Sequence, residues 1–180
     1  MLYMFFADGF EEVEAVATLD VIRRAGIEIQ SIGVGSATVT GSHGMKFICD
    51  KTDSDIRVSE DLSGIILPEG MPGTTNLMNN AAVDKFIDYC AENNLLLCAI
   101  CAAPIILGSK GLLKARKAIC FPGFENELTG AELSNDFICR DGNIITAKGM
   151  GSAIKFGLEI VAAFKGYEFA DELKSTLQCS

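Results

Sequence analysis

The sequence predicts an α/β protein, a three-layer α/β/α sandwich around a mostly parallel central sheet. Short, continuously apolar segments such as Leu2–Phe6, Gly64–Leu67 and Leu95–Ala99 alternate with longer segments of helical period. That is the pattern of buried parallel strands joined by crossover helices. Hydrophobic residues make up 49% of the 180 residues and charged residues 22%, too apolar for a disordered chain and enough for a core on both sheet faces. Ligands of such sheets bind beyond the carboxyl ends of the strands, which directs attention to the loops Ala7–Phe10, Pro68–Gly73 and Ile100–Ala103.

Taken in order, Leu2–Phe6 is a buried strand, followed by a helix over Glu11–Ala25 whose apolar face is built by Val13, Val16, Ala17, Leu19, Val21 and Ile22 and which stops at Gly26. Ile27–Val34 is the next strand, and Ser36–Ile48 has the composition of a hairpin turning at Gly41-Ser-His-Gly44. Gly64–Leu67 is a short strand that ends in the turn formers Pro68–Gly73. A single helix is expected over Asn76–Asn93, a strand over Leu95–Ala99 and a helix start at Ala103–Ser109. Ala118–Phe121 and Phe137–Ala147 read as further strand, the latter turning at Asp141-Gly142, and Ser152–Phe164 and Gly166–Leu177 as closing helices. No repeat, linker or low-complexity tract divides the chain, so residues 1–180 are read as one domain.

Acidic residues exceed basic ones by 24 to 15, a formal charge of −9, and no basic stripe suited to nucleic acid is present. The seven cysteines are odd in number and scattered, as expected of reduced thiols in a cytoplasmic protein rather than a secreted disulfide scaffold. The longest strongly apolar stretch, Leu95–Gly108, is 14 residues and broken by Pro104, short of the roughly 20 that a spanning helix needs. Met1–Ala7 lacks a basic flank and meets Asp8 at once, so neither a secretory signal nor a membrane segment is expected.

In Leu95-Leu-Leu-Cys-Ala-Ile-Cys101-Ala-Ala-Pro104 a buried strand runs into a cysteine followed by small residues and a proline suited to a first helical turn. This has the outline of a nucleophile elbow, without the glycines of the serine form. A thiol at a helix N-terminus would be stabilised as thiolate, whereas the bland reading of the same residues is a plain buried cysteine. Cys98 and Cys101 also form a C-x-x-C spacing, but Cys98 falls inside the strand, a second pair is missing and one histidine cannot complete the common zinc sets. Neither a metal nor another cofactor is expected.

Asp8-Gly-Phe-Glu-Glu-Val-Glu14, Asp20-Val-Ile-Arg-Arg-Ala-Gly26, Leu67-Pro-Glu-Gly-Met-Pro-Gly73 with Asn76-Leu77, Ala99-Ile-Cys-Ala-Ala-Pro104 and Lys148-Gly-Met-Gly151 occur in that order. Together they resemble the ThiJ/PfpI superfamily, specifically its DJ-one clade, over essentially the whole chain. The resemblance implies a flavodoxin-like sandwich, usually a homodimer, with Cys101 as the reactive elbow cysteine. It makes Glu14 the glutamate that hydrogen-bonds the thiol, and the backbone N–H groups of Gly70 and Ala102 an anion pocket beside it. Without it, Glu11, Glu12 and Glu14 are acids in a first helical turn that complement the helix dipole. With it, Glu14 is the expected proton carrier, protonated through burial. The implied dimer brings the first helix and the hairpin near His43 against their symmetry mates, with Glu11 and Arg24 at the border.

The chain departs from the family pattern at three places. Cys120-Phe121-Pro122 stands where many relatives have a Thr-His-Pro-like segment, and Ala102 stands where the protease-like branch has histidine. The only histidine, His43, lies in the hairpin, so a Cys–His couple and with it protease, amidase or glutaminase chemistry is not expected. Glu69 stands where relatives usually have glycine; it is expected to point to solvent, the alternative being that it excludes anionic substrates. Cys120 is expected to be a structural strand-end cysteine, the alternative being a resolving thiol for Cys101.

Two function classes follow. One is an enzyme of the glyoxalase III or deglycase type, in which Cys101 adds to the carbonyl of an α-oxoaldehyde and Glu14 moves the proton, without metal or glutathione. The other is a non-enzymatic stress-response protein, an oxidant sensor or chaperone-like protein, in which Cys101 oxidises first of the seven thiols and stops at sulfinate. Relatives also carry a label for thiamine thiazole-phosphate biosynthesis, but no Gly-rich phosphate loop or basic pocket supports it here.

Overall fold

The computed structural model describes residues 1–179. The first half runs β1 (Leu2–Phe6), α1 (Glu12–Arg24), β2 (Ile29–Gly33), β3 (Thr38–Thr40), β4 (Lys46–Ile48), β5 (Lys51–Thr52), β6 (Gly64–Leu67), α2 (Gly73–Met78) and α3 (Ala81–Glu92). The second half runs β7 (Leu96–Ile100), α4 (Pro104–Ser109), β8 (Lys117–Ala118), β9 (Glu132–Leu133), β10 (Ile138–Asp141), β11 (Ile144–Ala147), α5 (Ala153–Lys165) and α6 (Tyr167–Thr176). Seven strands form one sheet in the order β10-β11-β7-β6-β1-β2-β5, parallel throughout except for β10, which pairs antiparallel with β11. The three-layer α/β/α architecture expected from the sequence is present, in its flavodoxin-like form.

The apolar strands are continuous because both faces of the sheet are covered. On β1, Leu2, Met4 and Phe6 enter the layer shared with α1 and α5, while Tyr3 and Phe5 enter the layer shared with α3 and α4. The same alternation sends Cys98 and Ile100 of β7 one way and Leu97 and Ala99 the other. Each such large side chain contributes roughly 1.5–3 kcal/mol on burial. Helices α1 and α5 close against each other at Gly157, where a Cβ would stand 2.9 Å from Val21 Cβ, and Thr18 Oγ1 donates to the Ala153 carbonyl at 3.3 Å.

From β1 the chain adds β2 and β5 on one side and then crosses to add β6, β7 and β11 on the other. The loops after β1, β6 and β7 therefore meet at a topological switch point, where α/β sheets leave a crevice.

Three expectations need correction. The single helix over Asn76–Asn93 is two: α2 ends at Met78, and Asn80 starts α3 by accepting the N–H groups of Ala82 and Val83 at 2.9 and 3.0 Å. An asparagine side chain satisfies the free donors of a new helix more readily than it continues an old one. Of Ala118–Phe121 only Ala118 is strand, in the small β8–β9 pair, because beyond it the Ile119 N–H turns to Thr146 Oγ1 (2.9 Å) and the Phe121 N–H to the Cys101 carbonyl (2.7 Å). The two-residue strands β5 and β9 were not anticipated, being too short to show a period. Among the described residues no helix is long and apolar enough to cross a membrane.

Candidate active site

The loops after β1 and β6 are locked together by backbone contact. The Glu11 N–H donates to the Glu69 carbonyl at 2.5 Å, and Asn76 Nδ2 donates to the Asp8 carbonyl at 2.8 Å. Gly70, at φ +123°, lies so close to the first loop that a Cβ on it would stand 2.0 Å from the Gly9 carbonyl oxygen and 2.5 Å from the Glu11 nitrogen. Both obstacles are backbone, and the dihedral itself disfavours an L side chain. Gly70→Ala is therefore expected to lower unfolding free energy by about 2–4 kcal/mol, read as a lower urea midpoint at unchanged slope. A midpoint within error of the parent would show that the loops are not so locked.

Cys101 follows β7 directly and sits at φ +64°, a left-handed conformation that costs a non-glycine residue about 1–3 kcal/mol. Its N–H donates to the Ala147 carbonyl at 2.8 Å and its carbonyl accepts from Phe121 at 2.7 Å, so both of its backbone groups are pinned by neighbouring segments. The elbow outline read from the sequence is thus a strand–turn–helix in space. The helix is less than expected: α4 begins at Pro104 and has six residues, so its dipole is small and three residues away from the thiol. Among the described residues no protein acceptor takes the N–H of Gly70 or of Ala102.

Glu14 is in the first turn of α1, fixed by Glu11, whose Oε2 accepts the Glu14 N–H at 2.7 Å. Its side chain points inward and is fully buried. Oε2 accepts the Glu69 N–H at 3.1 Å, while Oε1 has no hydrogen-bond partner. Burial pushes the Glu14 carboxyl up to about 7, partly offset by the Glu69 N–H and by the Cys101 thiol, and reinforced by the carboxylates of Glu69 and Glu11. A Glu14 oxygen, a Glu69 oxygen and Cys101 Sγ lie within 4.8 Å of one another.

The thiol is accordingly pushed up, first by burial and then by the two carboxylates, contrary to the expectation of a dipole-stabilised thiolate. A proton held by Glu14 removes one of the charges that oppose ionisation of Cys101, so the two groups are coupled in titration. Glu69 also overturns its expectation: its side chain is half-buried and faces the thiol, held there by a backbone bonded on one side to Glu14 and on the other to Glu11.

Gly149, which the sequence reading did not single out beyond its motif, supports the sulfur. A Cβ there would come within 3.7 Å of Cys101 Sγ and 3.2 Å of the Phe121 ring. The same glycine lines a cavity of about 370 Å³ with Phe121, Phe137, Lys148 and Met150, so an apolar recess adjoins the thiol. Phe121 thus occupies the wall where a histidine could have reached the sulfur.

The remaining residues lie elsewhere. His43 Nδ1 is 3.0 Å from Glu12 Oε2, and its N–H donates to Glu12 Oε1 at 2.8 Å. Burial would raise the Glu12 carboxyl, but these bonds and others outweigh it and hold the group at about 2. This pairing ties the β3–β4 hairpin to α1. With Glu11, these two residues form a second group of metal-type donors within 4.8 Å, with Glu12 already engaged. Arg24 pairs with Asp20 one turn earlier at 2.6 Å. Cys120 packs in the core layer opposite to that of Cys101, with its thiol pushed up to about 11 by burial.

The DJ-1/PfpI family pattern matches residues 1–163. Protein DJ-1 homolog A of Arabidopsis thaliana is 36% identical over 176 residues, which is 95% of this chain but 44% of that protein, so the chain spans less than half the length of that relative. Glutathione-independent glyoxalase DJR-1.2 of Caenorhabditis elegans is 28% identical over 169 residues, 93% of this chain and 89% of that protein. Among solved structures, that of oxidized Toxoplasma gondii DJ-1 superposes with a TM-score of 0.94 at 29% identity, covering 99% of this chain and 98% of that one.

Proposed function

Because the chain belongs to the DJ-1/PfpI family, we propose that it performs cysteine-dependent chemistry on small α-oxoaldehydes, as a glyoxalase that needs neither glutathione nor metal. The observation that supports this reading is the juxtaposition of Cys101 Sγ with a buried Glu14 whose carboxyl is held near neutrality. A group poised near the working pH is suited to accept and return a proton.

In the proposed sequence Glu14 takes the thiol proton and Cys101 sulfur bonds to the aldehyde carbon of methylglyoxal. The carbonyl electron pair moves to oxygen, where the Gly70 and Ala102 N–H groups receive the oxyanion. That oxyanion takes the proton held by Glu14, which completes a hemithioacetal. Glu14, ionised again, removes the C1 hydrogen as a proton and returns it at C2, while the C1 hydroxyl proton passes to the C2 oxygen, leaving a 2-hydroxyacyl thioester. Water then cleaves the thioester to lactate and restores the thiol, so methylglyoxal plus water gives lactate with no net redox change. The absence of an imidazole at Phe121 leaves Glu14 as the proton carrier beside the sulfur. Incubating the protein with methylglyoxal in glutathione-free buffer should produce lactate in step with aldehyde loss. Aldehyde loss without lactate, or at the buffer rate, would refute this reading.

We propose also that the protein forms a homodimer. Val13 and Val16 on α1 are 47% and 42% exposed, and Met150 and Ile154 beside them are 52% and 41% exposed, a concentration of apolar surface on one face. A two-fold pairing through this face and the hairpin carrying His43 would cover it. Light scattering at micromolar concentration should give twice the 19.2 kDa of one chain, and Val16→Glu should halve that mass. A parent protein of one-chain mass would refute the pairing.

A further inference from the structure

We propose that Glu69 is a specificity-determining residue, whose carboxylate beside the Cys101 thiol admits uncharged electrophiles and turns away those bearing a carboxylate of their own. The proposal rests on the reading of Cys101 as the nucleophile and adds the substrate class.

Three observations carry it. The Glu69 carboxylate is within 4.8 Å of both the sulfur and a Glu14 oxygen, so anything that bonds to the sulfur must enter its field. Its position is set by the backbone, since the Glu69 N–H is given to Glu14 and the Glu69 carbonyl holds the Glu11 N–H. The charge is also uncompensated, because among the described residues Glu69 takes part in no ion pair. The cation in the lining of the adjoining cavity, Lys148, lies 5.4 Å from the Phe137 ring centroid, over its face.

In a half-buried site a like charge at this range is screened far less than in water. The Gly70 and Ala102 N–H groups answer one developing oxyanion, the one at the attacked carbonyl. Glu14 in its ionised form adds to the repulsion. Methylglyoxal and glyoxylate show the consequence in matched form: both offer an aldehyde, but the neighbouring group is a neutral methyl ketone in one and a carboxylate in the other. The site should accept the first and reject the second.

A pair of alkylating agents tests this without requiring turnover. Iodoacetamide and iodoacetate are nearly equal in size and differ by one negative charge, and in both the thiolate sulfur bonds to the methylene carbon as iodide leaves. Ionisation of the thiol affects both rates alike, so their ratio isolates the charge on the electrophile. Peptide mass spectrometry should show Cys101 preferring iodoacetamide more strongly than a neutral small thiol such as N-acetylcysteine amide does. Glu69→Gln should reduce that excess preference by about tenfold at low salt, and added salt should reduce it in the parent but not in the variant. A ratio unchanged by Glu69→Gln overturns the proposal. So does failure of both reagents to label Cys101 in parent and variant, since the site would then sort by size. If neither methylglyoxal nor glyoxylate is turned over while the alkylation ratio responds to Glu69, the glyoxalase reading fails and the charge sieve stands.

Discussion

Cys101→Ser is expected to bring methylglyoxal consumption down to the buffer rate, a loss of at least about a thousandfold, while leaving the fold intact. The hydroxyl is a far weaker acid than the thiol, and Glu14, poised at about 7, cannot deprotonate it. Serine differs by one atom and can hold the same left-handed backbone, whose N–H and carbonyl remain bonded to Ala147 and Phe121. The thermal midpoint should therefore move by only a few degrees, which separates a chemical loss from a structural one. A serine variant that keeps more than a tenth of the parent's lactate production would remove the thiol from the mechanism.

The second large effect has two opposite halves. Glu14→Gln removes the proposed proton carrier and is expected to lower turnover by about a hundredfold to ten-thousandfold. The same change should stabilise the protein at neutral and alkaline pH. Glu14 has its carboxyl raised from 4.5 to about 7 by burial, so between those values the folded chain holds a proton that the unfolded chain has lost. Stability thus falls as pH rises through this window, by about 3 kcal/mol in all, and stays reduced above it. Glutamine retains an acceptor for the Glu69 N–H and carries no charge to bury. Urea unfolding should show the variant more stable than the parent at pH 8 and the difference vanishing near pH 4.5. A difference independent of pH would mean that Glu14 is not titrating in this window. The parent holds a destabilising group where the proposed chemistry would use it.

How much of this could be read from the residues differs by element. The strands were legible because burial on both faces leaves an uninterrupted apolar run, as in Leu2–Phe6 and Leu96–Ile100. The break at Asn79-Asn80 was also legible in principle, since Asn80 is a good helix N-cap, but a continuous apolar period through Leu77 and Val83 hid it. Cys101 could be placed at the strand–helix turn because that junction is local. Glu14 could not be recognised as buried from its own surroundings, since three acids in a first turn look like a solvated face; only the family resemblance pointed it at the thiol. The orientation of Glu69 depends on the Gly70 dihedral and on a backbone bond to Glu11, 58 residues earlier, and nothing local encodes either.

The two margins of the central sheet have a bearing on how copies of this chain can meet. One margin is β5, only two residues long, with Lys51 and Thr52 half-buried; the other is β10, doubled back on β11 and carrying Arg140 and Asp141. A strand from another molecule would find on the first side too short a row of unpaired amides and carbonyls to template on, and on the second a charged border. Lateral growth into a continuous intermolecular ribbon is therefore disfavoured at both ends, even in a sequence that is half hydrophobic. The helical faces carry no such open edge, and a two-fold contact through them, as in the proposed dimer, would close on itself.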